Sequence, residues 1–89
     1  MLHVELVSPE AVLFRGDAEM VVCRTSDGEI AFLTGHVPFL GALGQGEVRI
    51  ILPGSDVQGV QVDGGFVEVR DDRVIILSDA ASLEEPASG

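Results

Sequence analysis

The chain has 89 residues, enough for one small domain that buries roughly 60 to 65% of the surface its unfolded form exposes, and too few for a second. Its formal net charge is -10, and its five basic residues (Arg15, Arg24, Arg49, Arg70 and Arg73) are scattered without a patch that tracks phosphates. That excludes nucleic acid as a partner and disfavours direct docking on anionic lipid.

Hydrophobic residues make up 46% of the chain and Phe is its only aromatic, at four copies, so the core of a folded domain here must be aliphatic. The hydrophobic period is two from the start. In LHVELV, Leu2, Val4 and Leu6 share one face of a strand and His3 and Glu5 the other. Ser8-Pro9-Glu10 turns the chain, and AVLF is expected as a short strand closed by Arg15-Gly16-Asp17. AEMVVCRT is apolar on both faces, which predicts a strand covered on two sides or lying near a contact. Ser26-Asp27-Gly28 is a turn, because Asp hydrogen-bonds its own backbone and Gly supplies a positive φ. EIAFL follows as the next strand. Pro38 biases Val37 towards an extended backbone and denies a ladder donor, so His36-Val37-Pro38 is expected as a loop or sheet edge. GEVRIIL restores alternation, with Val48, Ile50 and Leu52 inward, and Pro53-Gly54-Ser55-Asp56 ends it. VQVDGGFVEV reads as a hairpin around Asp63-Gly64-Gly65, and Asp71-Asp72 as a second tight turn before RVIILS.

About nine short strands at this turn spacing predict an all-β fold, a flattened two-sheet β-sandwich or barrel. The sandwich is expected over residues 1–81 and a short polar tail over 82–89; DAASLEE, residues 79–85, has Asp79 placed as an N-cap for about two turns of helix before Pro86. VRIIL is far short of the roughly 20 apolar residues that span a bilayer. Cys23 is alone, which leaves no internal disulfide, and the chain opens without a charged segment followed by a long apolar one. The compartment expected from both is the cytosol.

Candidate chemistry is sparse. His3 and Glu5 share a strand face, but two ligands do not make a metal site, and no neighbouring Cys or His completes a set. Cys23 stands inside an apolar strand and reads as a small buried hydrophobe. Ser26, Asp27 and His36 contain the letters of a triad, yet Ser26 and Asp27 are turn residues and no nucleophile elbow leads into a helix. GALGQGE is glycine-rich without a following helix N-terminus, and the chain has no Lys, so no nucleotide or other cofactor is expected. The 15 carboxylates fall on turns and outward strand positions, as solvating charge. What remains is GEIAFLTGHVPFLGAL, residues 28–43: a polar turn, a strand, then a rigid Gly-His-Val-Pro-Phe-Leu loop, the preorganised kind of surface that suits protein docking.

Three segments taken together, VSPE, DGEIAFLTGHVPFLGALGQGEVRI and VDGGFVEVRDDRVIILSDAA, resemble the N-terminal β-sandwich domain of the epsilon subunit of F-type ATP synthases, in the same order over residues 2–81. The resemblance implies a ten-stranded sandwich and a non-catalytic place at the foot of the central stalk. There it would grip the gamma subunit, rest on the polar loops of the c-ring and turn with them, at the cytoplasmic face of the membrane and attached to it only through the complex. It also implies contact residues: Glu29 towards the c-ring loops, His36, Pro38 and the adjoining Phe39 beside gamma and the ring, and Ser8 near gamma. Members of that family commonly carry Gly-Ile-x-Pro-Gly-His where this chain has AFLTGH, so Ala31 and Thr34 alter the strand end. Most bacterial members continue into a C-terminal helical hairpin that binds ATP and inhibits hydrolysis; this sequence ends at Gly89, and the expectation is a coupling subunit without that arm. The alternative reading is a free-standing β-sandwich interaction module that uses the same 28–43 surface.

Overall fold

The computed structural model describes residues 1–84. Among these the protein is all-β, with ten strands: β1 (Leu2–Val7), β2 (Val12–Ala18), β3 (Met20–Thr25), β4 (Gly28–Leu33), β5 (Phe39–Ala42), β6 (Gln45–Ile51), β7 (Val57–Asp63), β8 (Gly65–Arg70), β9 (Arg73–Ser78) and β10 (Ala81–Leu83). They form two five-stranded sheets, one in the order β2-β1-β9-β8-β5 and the other β10-β7-β6-β3-β4. All pairings are antiparallel except β1 with β9, which lie parallel although some 70 residues separate them, as in His3 opposite Arg73 and Leu6 opposite Ile76.

The core is the aliphatic layer between the sheets. Leu2, Val4 and Leu6 from β1, Val67 and Val69 from β8, and Val74 and Ile76 from β9 face Val21, Cys23, Phe32, Val48, Ile50, Val60 and Val62 from the other sheet, all buried. Each contributing strand alternates inward and outward, which puts every second residue into the layer.

Two turns form as their residues demand. Thr25 pairs with Gly28 across the two-residue loop Ser26-Asp27; the Thr25 hydroxyl donates to the Gly28 carbonyl at 2.9 Å and accepts from the Asp27 N–H at 3.2 Å. Asp71 and Asp72 both take positive φ, 51° and 59°, the mirror-image turn whose twist matches a tight hairpin.

Three expectations are corrected. Arg15-Gly16-Asp17 does not close β2, which runs on through it to Ala18 against β1. Asp63-Gly64-Gly65 is not a hairpin: β7 pairs with β6 and β10, β8 pairs with β5 and β9, and the chain passes from one sheet to the other at Gly64-Gly65. Gly64 and Gly65 have φ of 78° and 112°, and a Cβ on Gly65 would collide with the Leu77 carbonyl. A hairpin and a sheet-switching corner need the same glycines, so local pattern cannot separate them.

The helix expected over 79–85 is, in its described part, the strand β10, paired with β7 from Ala81 opposite Val62 to Leu83 opposite Val60. The Asp63 N–H donates to the Ala80 carbonyl at 2.9 Å, and the Ser78 hydroxyl donates to the same carbonyl at 2.7 Å. An open β7 edge supplies ladder partners that two turns of isolated helix lack. The expected boundary at Ala81 falls inside this strand, and residues 85–89 of the expected helix and tail lie outside the described residues. β5, which sequence reading merged with the loop before it, is a separate strand of four residues, Phe39–Ala42.

Candidate functional site

The 28–43 segment begins at the β3–β4 hairpin, runs the length of β4, and then loops over to the other sheet. At the far end of β4, His36 N–H donates to the Leu33 carbonyl at 3.0 Å. Gly35 N–H donates to Asp72 Oδ1 at 2.8 Å, which ties this loop to the β8–β9 turn. The His36 ring stands edge-on to Phe32, with centroids 5.0 Å apart, and edge-on to Phe39 at 6.4 Å. Its Nδ1 lies 2.7 Å from the Val37 carbonyl, which can only accept, so Nδ1 is the donor. His36 is therefore a half-buried wedge that props the loop on two Phe rings.

Phe39 packs against the core, and its ring occupies the space that a Cβ on Gly41 would fill, 2.7 Å from Cε2. The apolar side chains of this loop that reach solvent are instead Val37 and Leu40, each 70% exposed. Pro38 is exposed beside them.

Glu29 sits at the opposite end of β4, about 13 Å from Leu33 at the usual rise per residue. It is exposed, opposite Arg24 in the ladder, and its Oε1 lies 3.2 Å from Arg49 Nη2. Ser8 closes the β1–β2 turn, where its N–H donates to the Ala11 carbonyl at 2.9 Å. β1 ends beside the end of β9, away from the β8–β9 turn, so Ser8 and the His36 loop lie at opposite ends of their sheet. The five candidate contact residues thus divide: His36, Pro38 and Phe39 come together, while Glu29 and Ser8 stand apart from them.

The outer face of the β2-β1-β9-β8-β5 sheet holds a feature that sequence reading missed. The registers align Ala42, Phe66, Leu77, Val7 and Val12 in one row across all five strands. Phe66, Leu77 and Val12 are each more than half exposed. Leu40 and Ile75 extend the row on one side, with Glu68 and Glu5 beside them in the next register. Ser8 adjoins it, in a shallow groove formed with Val7, Phe66 and Leu77. Each strand contributes one outward apolar residue, so the signal in sequence is only a lapse in alternation, repeated strand by strand. A continuous exposed apolar row of this kind is a candidate protein-contact surface.

The remaining chemistry resolves as structure. The Cys23 thiol is buried and its pKa is pushed up to about 12 by desolvation, so it stays neutral and unreactive. His3 lies 3.8 Å from Glu5 and 3.6 Å from Asp17 on the open surface, and no metal-ligand group of three or more is found among the described residues. Ser26 and Asp27 are a strand's length from His36, which disposes of the triad letters. Over the described residues the molecule is a ten-stranded two-sheet β-sandwich with a propped loop at one end and an apolar outer row.

Comparison with known proteins gives this class its family. Residues 1–84 match the family model for the ATP synthase Delta/Epsilon chain, beta-sandwich domain, and the chain belongs to that family. It is 46% identical over 82 residues to the ATP synthase epsilon chain of Halalkalibacterium halodurans, a match that covers 92% of this chain and 61% of the relative. It is also 46% identical to that of Frankia casuarinae, covering 92% of this chain and 96% of the relative. The chain thus spans about three fifths of the first relative's length and nearly all of the second's.

Among solved structures, the fold matches a chain in the Euglena gracilis mitochondrial ATP synthase OSCP/F1/c-ring assembly, with a TM-score of 0.86 at 23% identity, over 92% of this chain and 52% of that one. It also matches a chain in the Tetrahymena thermophila mitochondrial ATP synthase central stalk/c-ring assembly, with a TM-score of 0.77 at 19% identity, over 91% and 65%.

Proposed function

We propose that this chain is a non-catalytic rotor subunit of an F-type ATP synthase, which binds the gamma subunit and the polar loops of the c-ring in the central stalk and so helps couple proton flow to ATP synthesis. Its membrane association runs through the complex alone, on the cytoplasmic face, and the role calls for no cofactor. Family membership supports the complex, and the c-ring and central-stalk assemblies that contain similar folds support the position.

The observation that carries the reading is the apolar row Ala42–Phe66–Leu77–Val7–Val12. A surface of exposed Phe, Leu and Val on a chain of charge -10 suits a permanent protein partner far better than water. We assign it to gamma, with Ser8 at its margin, and assign acidic Glu29 to the c-ring loops. We assign His36, Pro38 and Phe39 to the same partners through the loop at the far end of β4 from Glu29, which the His36 ring holds in one shape, as a contact under torque requires. The coupling role needs only the sandwich, without a regulatory helical hairpin.

Titration calorimetry of this chain against gamma from the same organism tests the reading. A one-to-one complex at micromolar affinity or better, about -8 kcal/mol or stronger, is expected. Phe66→Asp and Leu77→Asp, both at outward positions, are expected to weaken it at least tenfold while leaving circular dichroism unchanged. No heat at several temperatures, with an epsilon and gamma pair from another species working as control, would instead favour a free-standing interaction module.

A further inference from the structure

On the outer face of the other sheet, Glu47 of β6 and Glu84, just past β10, bring their carboxyl groups together over Gly59 of β7. A Cβ on Gly59 would lie 2.5 Å from Glu84 Oε2 and 3.1 Å from Glu47 Oε2, so the glycine leaves the space in which the two acids meet. The backbone holds Glu84 there: its N–H donates to the Gly59 carbonyl at 3.0 Å, and Gln58 Nε2 donates to the Glu84 carbonyl at 3.3 Å. Glu84 Oε2 is shut off from solvent and finds no donor among the described residues. A buried carboxylate oxygen beside a second carboxyl group is satisfied when that neighbour carries a proton.

We propose that Glu47 and Glu84 share one proton across Gly59 and act as a pH-dependent clasp on the end of β10. The groups facing Glu47 are Glu84, Arg49 on its own strand at 3.8 Å, and Glu29 of β4, which is itself paired with Arg49; Arg24 of β3 lies against the neighbouring Gly46. The hydrogen bond to Glu84, with desolvation and the Glu84 charge behind it, raises the Glu47 pKa against the opposing pull of Arg49. The sign follows. A carboxyl group whose folded pKa is raised stabilises the closed form at low pH, and that stabilisation is lost as pH rises through the raised value. The clasp is closed in acid. With the proton gone, two carboxylates repel over Gly59, Glu84 lifts, and its N–H leaves the Gly59 carbonyl on the edge of β7.

Carbon-detected NMR titration of both carboxyl groups in the full 89-residue chain, with amide exchange at Glu84 and Leu83 corrected for intrinsic rates, tests this directly. Two coupled steps separated by about one pH unit or more are expected. Glu84 amide protection should fall about tenfold across the upper step. In Glu47→Gln, whose amide replaces the shared proton as donor, protection should stay high throughout, and in Glu84→Gln the upper step should disappear. Independent titration of the two acids at ordinary carboxylate values would overturn the proposal. So would protection that ignores pH in the unmodified chain, or an undiminished fall in Glu47→Gln.

Discussion

Gly35 N–H donates a 2.8 Å hydrogen bond to Asp72 Oδ1, which joins the loop after β4 to the β8–β9 turn of the other sheet. The same turn receives His3 N–H on the Asp72 carbonyl at 2.9 Å, so one aspartate gathers three segments at this end of the sandwich. Asp72→Gly removes the side-chain acceptor and keeps the positive φ that the turn needs. It should cost about 1 kcal/mol and raise amide exchange at Gly35 and His36 without altering the hairpin registers. Asp72→Asn, which retains the carbonyl acceptor, should behave nearly as the unmodified protein. Equal loop exchange in both variants would show that the bond does not hold the loop.

At the sheet-switching corner, Gly65→Ala forces a side chain onto the Leu77 carbonyl at a φ of 112°. Loss of at least about 3 kcal/mol is expected in urea unfolding, or no folded protein at all. Gly44→Ala is the control, because a Cβ there meets nothing within 4 Å and no positive φ is needed. It should stay within about 0.5 kcal/mol of the unmodified chain.

Cys23 sets a stability change in alkali. Its thiol pKa is raised to about 12 by burial, so above the thiol's unfolded value, about 8.5, the unfolded chain releases a proton that the folded chain keeps. Stability should fall by about 1.4 kcal/mol per pH unit from there towards pH 12, beyond the fall shown by Cys23→Ala. Equal slopes for the two chains between pH 8 and pH 10, measured by denaturant unfolding, would contradict a buried neutral thiol. Labelling of the thiol by a disulfide reagent should likewise be slow in the native protein and fast in urea.

Glu29→Lys replaces an exposed acid whose ion pair with Arg49 spans 3.2 Å. Surface pairs contribute little, so unfolding free energy should change by less than about 1 kcal/mol. In assembled enzyme the same change is expected to lower ATP-driven proton pumping relative to ATP hydrolysis. Unchanged coupling would remove Glu29 from the c-ring contact.

Much of this fold is written locally. Leu2, Val4 and Leu6 predict a strand with one buried face because alternation is a property of the strand itself, and all three are fully buried. Asp71-Asp72 and Ser26-Asp27-Gly28 predict their hairpins because a tight turn is settled by the φ that its own residues tolerate, positive at Asp71, Asp72 and Gly28. The aromatic prop is half legible: His36-Val37-Pro38 reads as a rigid loop, but the Phe32 and Phe39 rings on which His36 rests meet only once β4 and β5 are placed in different sheets.

Tertiary structure decided the rest, where the determining partner is far along the chain. Gly64-Gly65 serves a hairpin or a corner equally well, and the choice depends on β9, which offers β8 a neighbour and brings the Leu77 carbonyl against Gly65. Ala81–Leu83 is too short to prefer any structure, and the vacant edge of β7 makes it a strand. The apolar row exists only because five strands stand in one register, the parallel pairing of β1 with β9 among them. The sequence alone therefore determined the alternating strands of the core and the β3–β4 and β8–β9 turns, since these depend on residues close together in the chain. Which strands became neighbours, and so which side chains form the surface offered to a partner, was decided by long-range packing, whose energies no short stretch of sequence contains.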